Sequence, residues 1–180
     1  MDKIFKEFIN QYIDAINNDI DIDLLSQSAD LIKETKNKGG KIILAGNGGS
    51  AAMASHVAVD FTKNASIRAI NFNEADLITC FANDYGYENW VEQALKFYAD
   101  ENDLVVLISS SGNSMNMVNA ADYCKKVNMN VITLTGFSKN NKLNNLGSIN
   151  FWIDSDEYNI VEMTHHIILL LLVDGFINES

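Results

Sequence analysis

The chain has 180 residues, of which 47% are hydrophobic and 21% charged, as is typical of one globular domain. Its formal net charge of -11 would repel nucleic acid and anionic membrane surfaces, so we expect neither as a partner. A bound phosphate would have to be held locally, by backbone N–H groups, hydroxyls and helix N-termini.

The first forty residues predict two amphipathic helices. Apolar residues recur at helical spacing over 4–16, and a second such pattern over 24–32 ends near Gly39-Gly40. Acidic residues interrupt the first pattern, whereas a signal peptide has a basic region followed by an apolar block. We therefore expect no signal peptide, and we expect residues 1–38 to form extra helices before the main fold.

Five short apolar segments predict the strands of a parallel sheet. The first, KIILAG, is a continuous apolar run closed by glycine, as in strands buried on both faces. Helical segments separate the strands, as parallel pairing requires. The predicted strands are 41–46, 66–72, 103–109, 130–135 and 148–153. We predict a single domain over 1–180, whose three-layer α/β/α core spans 41–180.

The last predicted helix, 157–178, is apolar almost all round in its second half and must be buried. Two locations are open: an interface between subunits, formed with the N-terminal helices, or the core of a monomer. Its longest apolar run, Ile167 to Val173, is too short to span a bilayer. Cys80 and Cys124 lack metal-site or disulfide-framework spacing and are predicted to be reduced core thiols. We expect a cytoplasmic protein.

The sequence GNGGS follows the first strand and opens a helix. In this arrangement free N–H groups and the helix dipole converge on an anion. It is not a P-loop, because no Gly-Lys-Ser/Thr follows. Gly46, Gly48 and Ala51 fit a loose dinucleotide fingerprint, but the second strand ends in Asn71 and no acid follows directly, so that match is poor. A purely structural turn is the alternative.

A second turn, SSSGNS at 109–114, follows the third strand and also opens a helix. Its hydroxyls and N–H groups can surround a phosphate monoester without any lysine. A simple helix cap is the alternative interpretation. Since turns at the carboxyl ends of parallel strands flank one crevice, we predict that the two turns share one ligand.

These motifs resemble the sugar isomerase (SIS) domain family, and in particular its phosphoheptose isomerases. The similarity runs from about residue 1 to 178 and rests on GNGGSAAMASH (46–56), ANDYGYENWVEQAL (82–95), SSSGNSMNMVNAA (109–121) and VITLTG (131–136). The resemblance implies a flavodoxin-like fold with a five-stranded sheet, a phosphorylated sugar as substrate, a homotetramer, and an active site between subunits.

The resemblance also implies which residues bind substrate. Asn47, Gly48 and Ser50 match the first substrate loop of the family, and Asp84 matches an aspartate beside the sugar. The residues that match the phosphate loop are Ser109, Ser110, Ser111 and Ser114, with Ser110 where threonine is usual.

The sequence departs from the family at positions that carry chemistry. Asp60 stands where the family has a glutamate base, and Lys63-Asn64 replaces a Gly-Arg pair. Val161 and Leu169 align with a glutamine and a histidine of the last helix. Family members that bind zinc take four ligands from these helices, of which His56 and Asp60 remain. The expectation is therefore that no cofactor is required, or that Zn²⁺ binds at these two residues.

Aldose–ketose isomerisation needs a base that moves a proton between C1 and C2 and a group that shuttles one between O1 and O2. His56 and Asp60, four residues apart, project from one helix face. His165 lies four residues from both Val161 and Leu169 and shares their face. We predict that Asp60 is the base and His165 a proton shuttle. The alternatives are an ordinary surface pair and a buried core histidine.

The predicted function is isomerisation of sedoheptulose 7-phosphate to D-glycero-D-manno-heptose 7-phosphate, or of a related sugar phosphate, for lipopolysaccharide or capsule precursors. One alternative is a phosphosugar-binding or protein-binding regulator whose catalytic positions have drifted. The apolar Val161 and Leu169 support that alternative. An isomerase for a sugar phosphate of another chain length is the third possibility.

Overall fold

All five predicted strands form and pair in parallel. A computed structural model of the protein describes residues 1–178; Glu179 and Ser180, which the predicted domain included, lie outside the described residues. The strands are β1 (Ile42–Gly46), β2 (Ala69–Asn71), β3 (Leu104–Ser109), β4 (Asn130–Thr135) and β5 (Ile149–Trp152). Their order across the sheet is β2-β1-β3-β4-β5. This is the flavodoxin-like order, and it confirms the predicted fold class.

Seven helices are described within residues 1–178, and they cover both faces of the sheet. They are α1 (Asp2–Asp19), α2 (Ile22–Asn37), α3 (Gly49–Lys63), α4 (Ala75–Tyr85), α5 (Trp90–Tyr98), α6 (Met115–Lys126) and α7 (Tyr158–Asn178). Alternate residues of each strand point to opposite faces. Ile42 and Leu44 pack with α2, α3 and α7, whereas Ile43 and Ala45 pack with α5 and α6. Two buried cores therefore form, one on each face.

The second strand is shorter than predicted. Residues 66–72 carry the apolar pattern, but only Ala69–Asn71 pair with β1. Ser66 adopts a positive φ of 55°, which interrupts extended backbone, and the N–H of Ile67 donates to the carbonyl of Phe61 instead of to a strand. The residues before Ala69 therefore close the end of α3.

Helix α7 is long and apolar enough to span a membrane by length and composition. The seven-residue run used in the sequence argument therefore understates this helix, which has 21 residues. Half of its most apolar stretch is buried inside the fold, and the helix packs on α1, α2 and α3. These contacts place α7 on the same face of the sheet as α2 and α3.

The two cysteines differ in environment. Cys124, a residue of α6, is fully buried in the core, and burial raises the pKa of its thiol to about 12. Cys80 is exposed on α4, so the prediction of a second core thiol is wrong. Helix α4 has no fully buried residue and rests on the core through half-buried side chains only, which leaves Cys80 on its outer face.

Candidate active site

The two predicted ligand turns meet at the carboxyl ends of the neighbouring strands β1 and β3. They enclose a small pocket of about 110 Å³. Its lining residues are Asn47, Ser50, Ile108, Ser109, Ser110, Ser111, Ser114, Tyr158 and Glu162. A larger cavity of about 480 Å³ lies between α2 and α7, but its lining is mostly apolar and it contains none of the predicted site residues. The small pocket is therefore the candidate site.

The first turn is held in place by a pair of amides. The Asn47 side chain donates to Asn116 Oδ1 at 3.0 Å and accepts from Asn116 Nδ2 at 2.8 Å. The Tyr87 hydroxyl also donates to Asn47 Oδ1, at 3.0 Å. Gly48 has φ 55° and ψ -120°, a conformation that favours glycine, and α3 begins directly after it. Asn47 therefore links the glycine turn to α6.

The second turn carries hydroxyls that remain available for hydrogen bonds to a ligand. Ser109 Oγ is buried and has no hydrogen-bond partner among the described residues. Ser114 stands at the N-cap of α6, but its side chain makes no capping hydrogen bond. The simple helix-cap interpretation of this serine is therefore wrong. A buried hydroxyl without a partner is costly, and a ligand oxygen in this pocket would satisfy it.

Glu162 is a pocket residue that the sequence argument missed. Its Oε1 accepts from Ser110 Oγ at 3.5 Å, and its carboxylate lies so close to Gly49 that a Cβ there would collide with it. None of the residues lining this pocket is Lys or Arg. Glu162 is the one carboxylate in residues 158–168 of α7, and this was the signal that could have found it.

A second polar cluster lies farther along the contact between α3 and α7. His56 Nε2 is 3.2 Å from Asp60 Oδ2, and His56 Nδ1 is 3.0 Å from His166 Nε2. The two imidazole rings meet edge to face. His166 is half-buried, and burial, followed by the nearby His56, lowers its pKa. The predicted pair of His56 and Asp60 thus gains a third member from α7.

The sequence profile of the SIS domain matches residues 5–136. This chain belongs to the SIS domain family. A phosphoheptose isomerase from Helicobacter pylori (strain P12) is 30% identical over 96% of this chain and 93% of the relative. The structure of phosphoheptose isomerase from Neisseria gonorrhoeae matches 97% of this chain and 96% of its own, with TM-score 0.85 and 26% identity. A phosphoheptose isomerase from Francisella tularensis matches 99% and 96%, with TM-score 0.86 and 25% identity. The predicted family is confirmed.

In this SIS domain His165 lies in the core and not in the cluster of Asp60, His56 and His166. Its ring is fully buried, Nε2 lies 3.0 Å from the Thr135 carbonyl oxygen, and Nδ1 has no hydrogen-bond partner within residues 1–178. Burial lowers its pKa to about 4. The structure therefore does not bring His165 together with Asp60, and its burial argues against the predicted proton shuttle.

The rotation of α7 explains the difference between the two adjacent histidines. Successive helix residues differ by about 100° around the axis, so neighbours in sequence face different surroundings. Val161, His165 and Leu169 form a row that points into the core. Glu162 and His166 form the next row, which faces α3. Val161 and Leu169, where the family resemblance implies polar residues, are therefore core positions in this chain.

Asp84, predicted to lie beside the sugar, is not among the residues that line the pocket. It is exposed near the end of α4, where Asn83 Nδ2 donates to its carboxylate at 2.9 Å. The same segment reaches the site through Tyr87, which bonds to Asn47. The other predicted binding residues, Asn47, Gly48, Ser50 and the four serines of the second turn, lie in or beside the pocket.

The residues of this SIS domain do not fit the zinc site that the family resemblance implies. Within residues 1–178, no three His, Cys, Asp or Glu side chains are placed to hold one metal ion. His56 and Asp60 contact each other, and Val161 and Leu169, at the other two positions, are buried and apolar.

Proposed function

We propose that this protein is a sugar-phosphate isomerase that interconverts sedoheptulose 7-phosphate and D-glycero-D-manno-heptose 7-phosphate, or a closely related pair. One observation carries the proposal: the serine-lined pocket and the cluster of Asp60, His56 and His166 lie along the same contact between α3 and α7. The names of the relatives support the same reaction class. A cytoplasmic role in lipopolysaccharide or capsule precursor synthesis follows from this proposal.

The two parts of the site suit the two ends of one substrate. The serine hydroxyls and the start of α3 bind the phosphate, and the buried Ser109 hydroxyl gains its missing partner there. From Ser50 to His56 is about 9 Å along the α3 axis, a distance that the carbon chain of a phosphorylated sugar can cover. The carbonyl end of the sugar then reaches the cluster, which moves the proton between C1 and C2.

A product screen tests the proposal. Phosphorylated pentoses, hexoses and heptoses are incubated separately with the purified protein and followed by NMR. We expect interconversion of the heptose 7-phosphates. Absence of turnover on every sugar would overturn the isomerase proposal and favour the regulator. Turnover restricted to a pentose or hexose would reject the heptose assignment. Thermal stabilisation by the same ligands would not distinguish the two functions, because an isomerase and a regulator both bind them.

Removing the negative charge of Glu162 should tighten phosphate binding. A substrate phosphate held by Ser110 would lie near the Glu162 carboxylate, and like charges repel at this distance. We expect Glu162→Gln to lower KM for the sugar phosphate by about three- to tenfold. Steady-state kinetics measures this, with Glu157→Gln, at an exposed position just before α7, as the matched control. An increase in KM would show instead that the carboxylate binds the sugar.

We also propose that the protein is a homotetramer in which α1 packs against another subunit. Helix α1 exposes a row of large apolar side chains: Ile4, Phe5, Phe8, Ile9 and Ile13. Such a row is unfavourable in water and is typical of an interface. Light scattering after size-exclusion chromatography should give the molar mass of a tetramer for the wild type. The double variant Phe5→Glu, Phe8→Glu should have a lower molar mass because the interface is weakened. Its matched control is Lys3→Glu together with Lys6→Glu. A monomeric wild type would contradict this assignment.

A further inference from the structure

Asp60, His56 and His166 form an unbroken chain of contacts from α3 to α7. Asp60 Oδ2 lies 3.2 Å from His56 Nε2, and His56 Nδ1 lies 3.0 Å from His166 Nε2. We propose that His166 is the catalytic residue that carries the proton in this site, and that Asp60 and His56 are positioning residues that hold its ring and tautomer. The proposal rests on the isomerase function proposed above and names the residue that performs it.

The chain of contacts determines where the hydrogens lie. An ionised carboxylate only accepts hydrogen bonds, so His56 Nε2, which faces Asp60, carries the hydrogen. A neutral imidazole has one N–H, so His56 Nδ1 accepts, and His166 Nε2 must donate to it. Nδ1 of His166 is then left with a free lone pair. These positions follow from the hydrogen-bond network, which is how histidine tautomers are assigned.

The other members of the cluster are less suited to receive a proton from substrate. Asp60 uses both oxygens, since Oδ1 accepts from Asn64 Nδ2 at 3.1 Å and Oδ2 faces His56. Both nitrogens of His56 are engaged. In residues 1–178 no hydrogen bond involves His166 Nδ1, and this ring is only half-buried. His166 is therefore the member with an available basic nitrogen.

His166 is also placed correctly with respect to the pocket. It follows Glu162 by four residues, so the two side chains share one face of α7 and are about 6 Å apart along its axis. Glu162 lines the serine pocket. A sugar anchored by its phosphate at the serines would pass Glu162 and bring its carbonyl end to His166.

The proton transfers balance without an oxidant, a reductant or a metal. Starting from the ketose, His166 Nδ1 takes a proton from C1, the C1–H electron pair becomes the C1–C2 double bond, and the carbonyl pair moves to O2. The hydroxyl proton of O1 then moves to O2. The proton held by His166 returns to C2, where the electron pair of the double bond forms the new C–H bond while C1=O forms. Asp60, acting through His56, stabilises the transient imidazolium.

Kinetics of His166→Gln tests the catalytic role. We expect kcat to fall by about 10²–10⁴-fold, the usual contribution of a general base, while KM changes by less than about threefold. The matched control is Met163→Gln, an exposed position on the same helix, which should leave both constants unchanged. If the wild type turns over and His166→Gln retains kcat within about threefold, the assignment is overturned.

A spectroscopic measurement separates this proposal from the proposed function. ¹⁵N-edited NMR of the histidine side chains in the unliganded protein should show His56 and His166 both protonated at Nε2. In Asp60→Asn the asparagine amide can donate to His56, and the tautomers of both rings should change. Protonation of wild-type His166 at Nδ1 overturns the positioning chain whatever the turnover. If the tautomers are as predicted but no sugar phosphate is turned over, the proposed function and the catalytic role of His166 are overturned, while the hydrogen-bond chain from Asp60 to His166 stands.

Discussion

Replacing Asp60 by asparagine is expected to reduce the proposed conversion of sedoheptulose 7-phosphate by about 10²–10⁴-fold, with little change in KM. The carboxylate faces His56 Nε2 at 3.2 Å and fixes which nitrogen of that ring carries the hydrogen. An asparagine of the same size can present its NH₂ group and reverse the tautomer, and it also removes the negative charge that stabilises an imidazolium. The loss should therefore fall on kcat.

Comparing Asp60→Glu with Asp60→Asn shows whether the negative charge at this position is what matters for activity. Asp60→Glu introduces the acid that the family resemblance implies at this position, and we expect it to retain more activity than Asp60→Asn because the charge remains. Asp76→Asn, on the exposed surface of α4, is the matched control for loss of one carboxylate. Identical progress curves for the wild type and Asp60→Asn would contradict a role for this cluster in proton transfer.

The second large effect concerns stability and depends on the buried His165. Burial lowers its pKa from 6.5 to about 4, so the folded state holds this ring neutral. In the unfolded chain the ring takes up a proton below pH 6.5. The unfolded state thus binds more protons between pH 6.5 and 4, and stability must fall as the pH is lowered through this range. The shift corresponds to a loss of about 3 kcal/mol in the free energy of unfolding, and this loss is nearly complete at pH 4.

Urea unfolding followed by circular dichroism between pH 4 and 7.5 measures this effect. His165→Gln keeps an N–H that can donate to the Thr135 carbonyl but has no group that titrates here. We expect its unfolding free energy to fall less steeply than that of the wild type as the pH drops. Met163→Gln should retain the wild-type slope. Equal slopes in the wild type and His165→Gln would contradict the assignment of this pH dependence to His165.

The two adjacent histidines of α7 have different roles because successive helix residues face different directions. His165 points into the core and bonds to β4, whereas His166 points to α3 and meets His56. The same phase places Val161 in the core and Glu162 in the pocket. The apolar Val161 and Leu169, where the family resemblance implies glutamine and histidine, therefore do not empty the site of polar groups. A carboxylate and an imidazole come from the neighbouring row.

Local patterns in the sequence were sufficient for most of the fold. Short, mainly apolar runs predicted the strands, because a strand covered by helices on both faces buries most of its side chains. GNGGS and SSSGNS marked the two turns that line the candidate pocket for a similar local reason, because a turn that opens a helix favours glycine and small polar residues. The predicted bounds of β1, β3, β4 and β5 lie within one residue of those observed. Only β2, where Ser66 turns the backbone, is much shorter.

The tertiary structure alone decided which side chains join in the site. Helix α7 is apolar almost all round its second half, so its hydrophobic pattern carries little information about which face meets the sheet and which meets α3. Packing against α3 settled this, and it selected Glu162 and His166 over His165. Likewise the exposure of Asp84 and Cys80 depends on how shallowly α4 rests on the core. Such contacts join residues about a hundred positions apart in sequence, as in His56 and His166, and no local pattern encodes them.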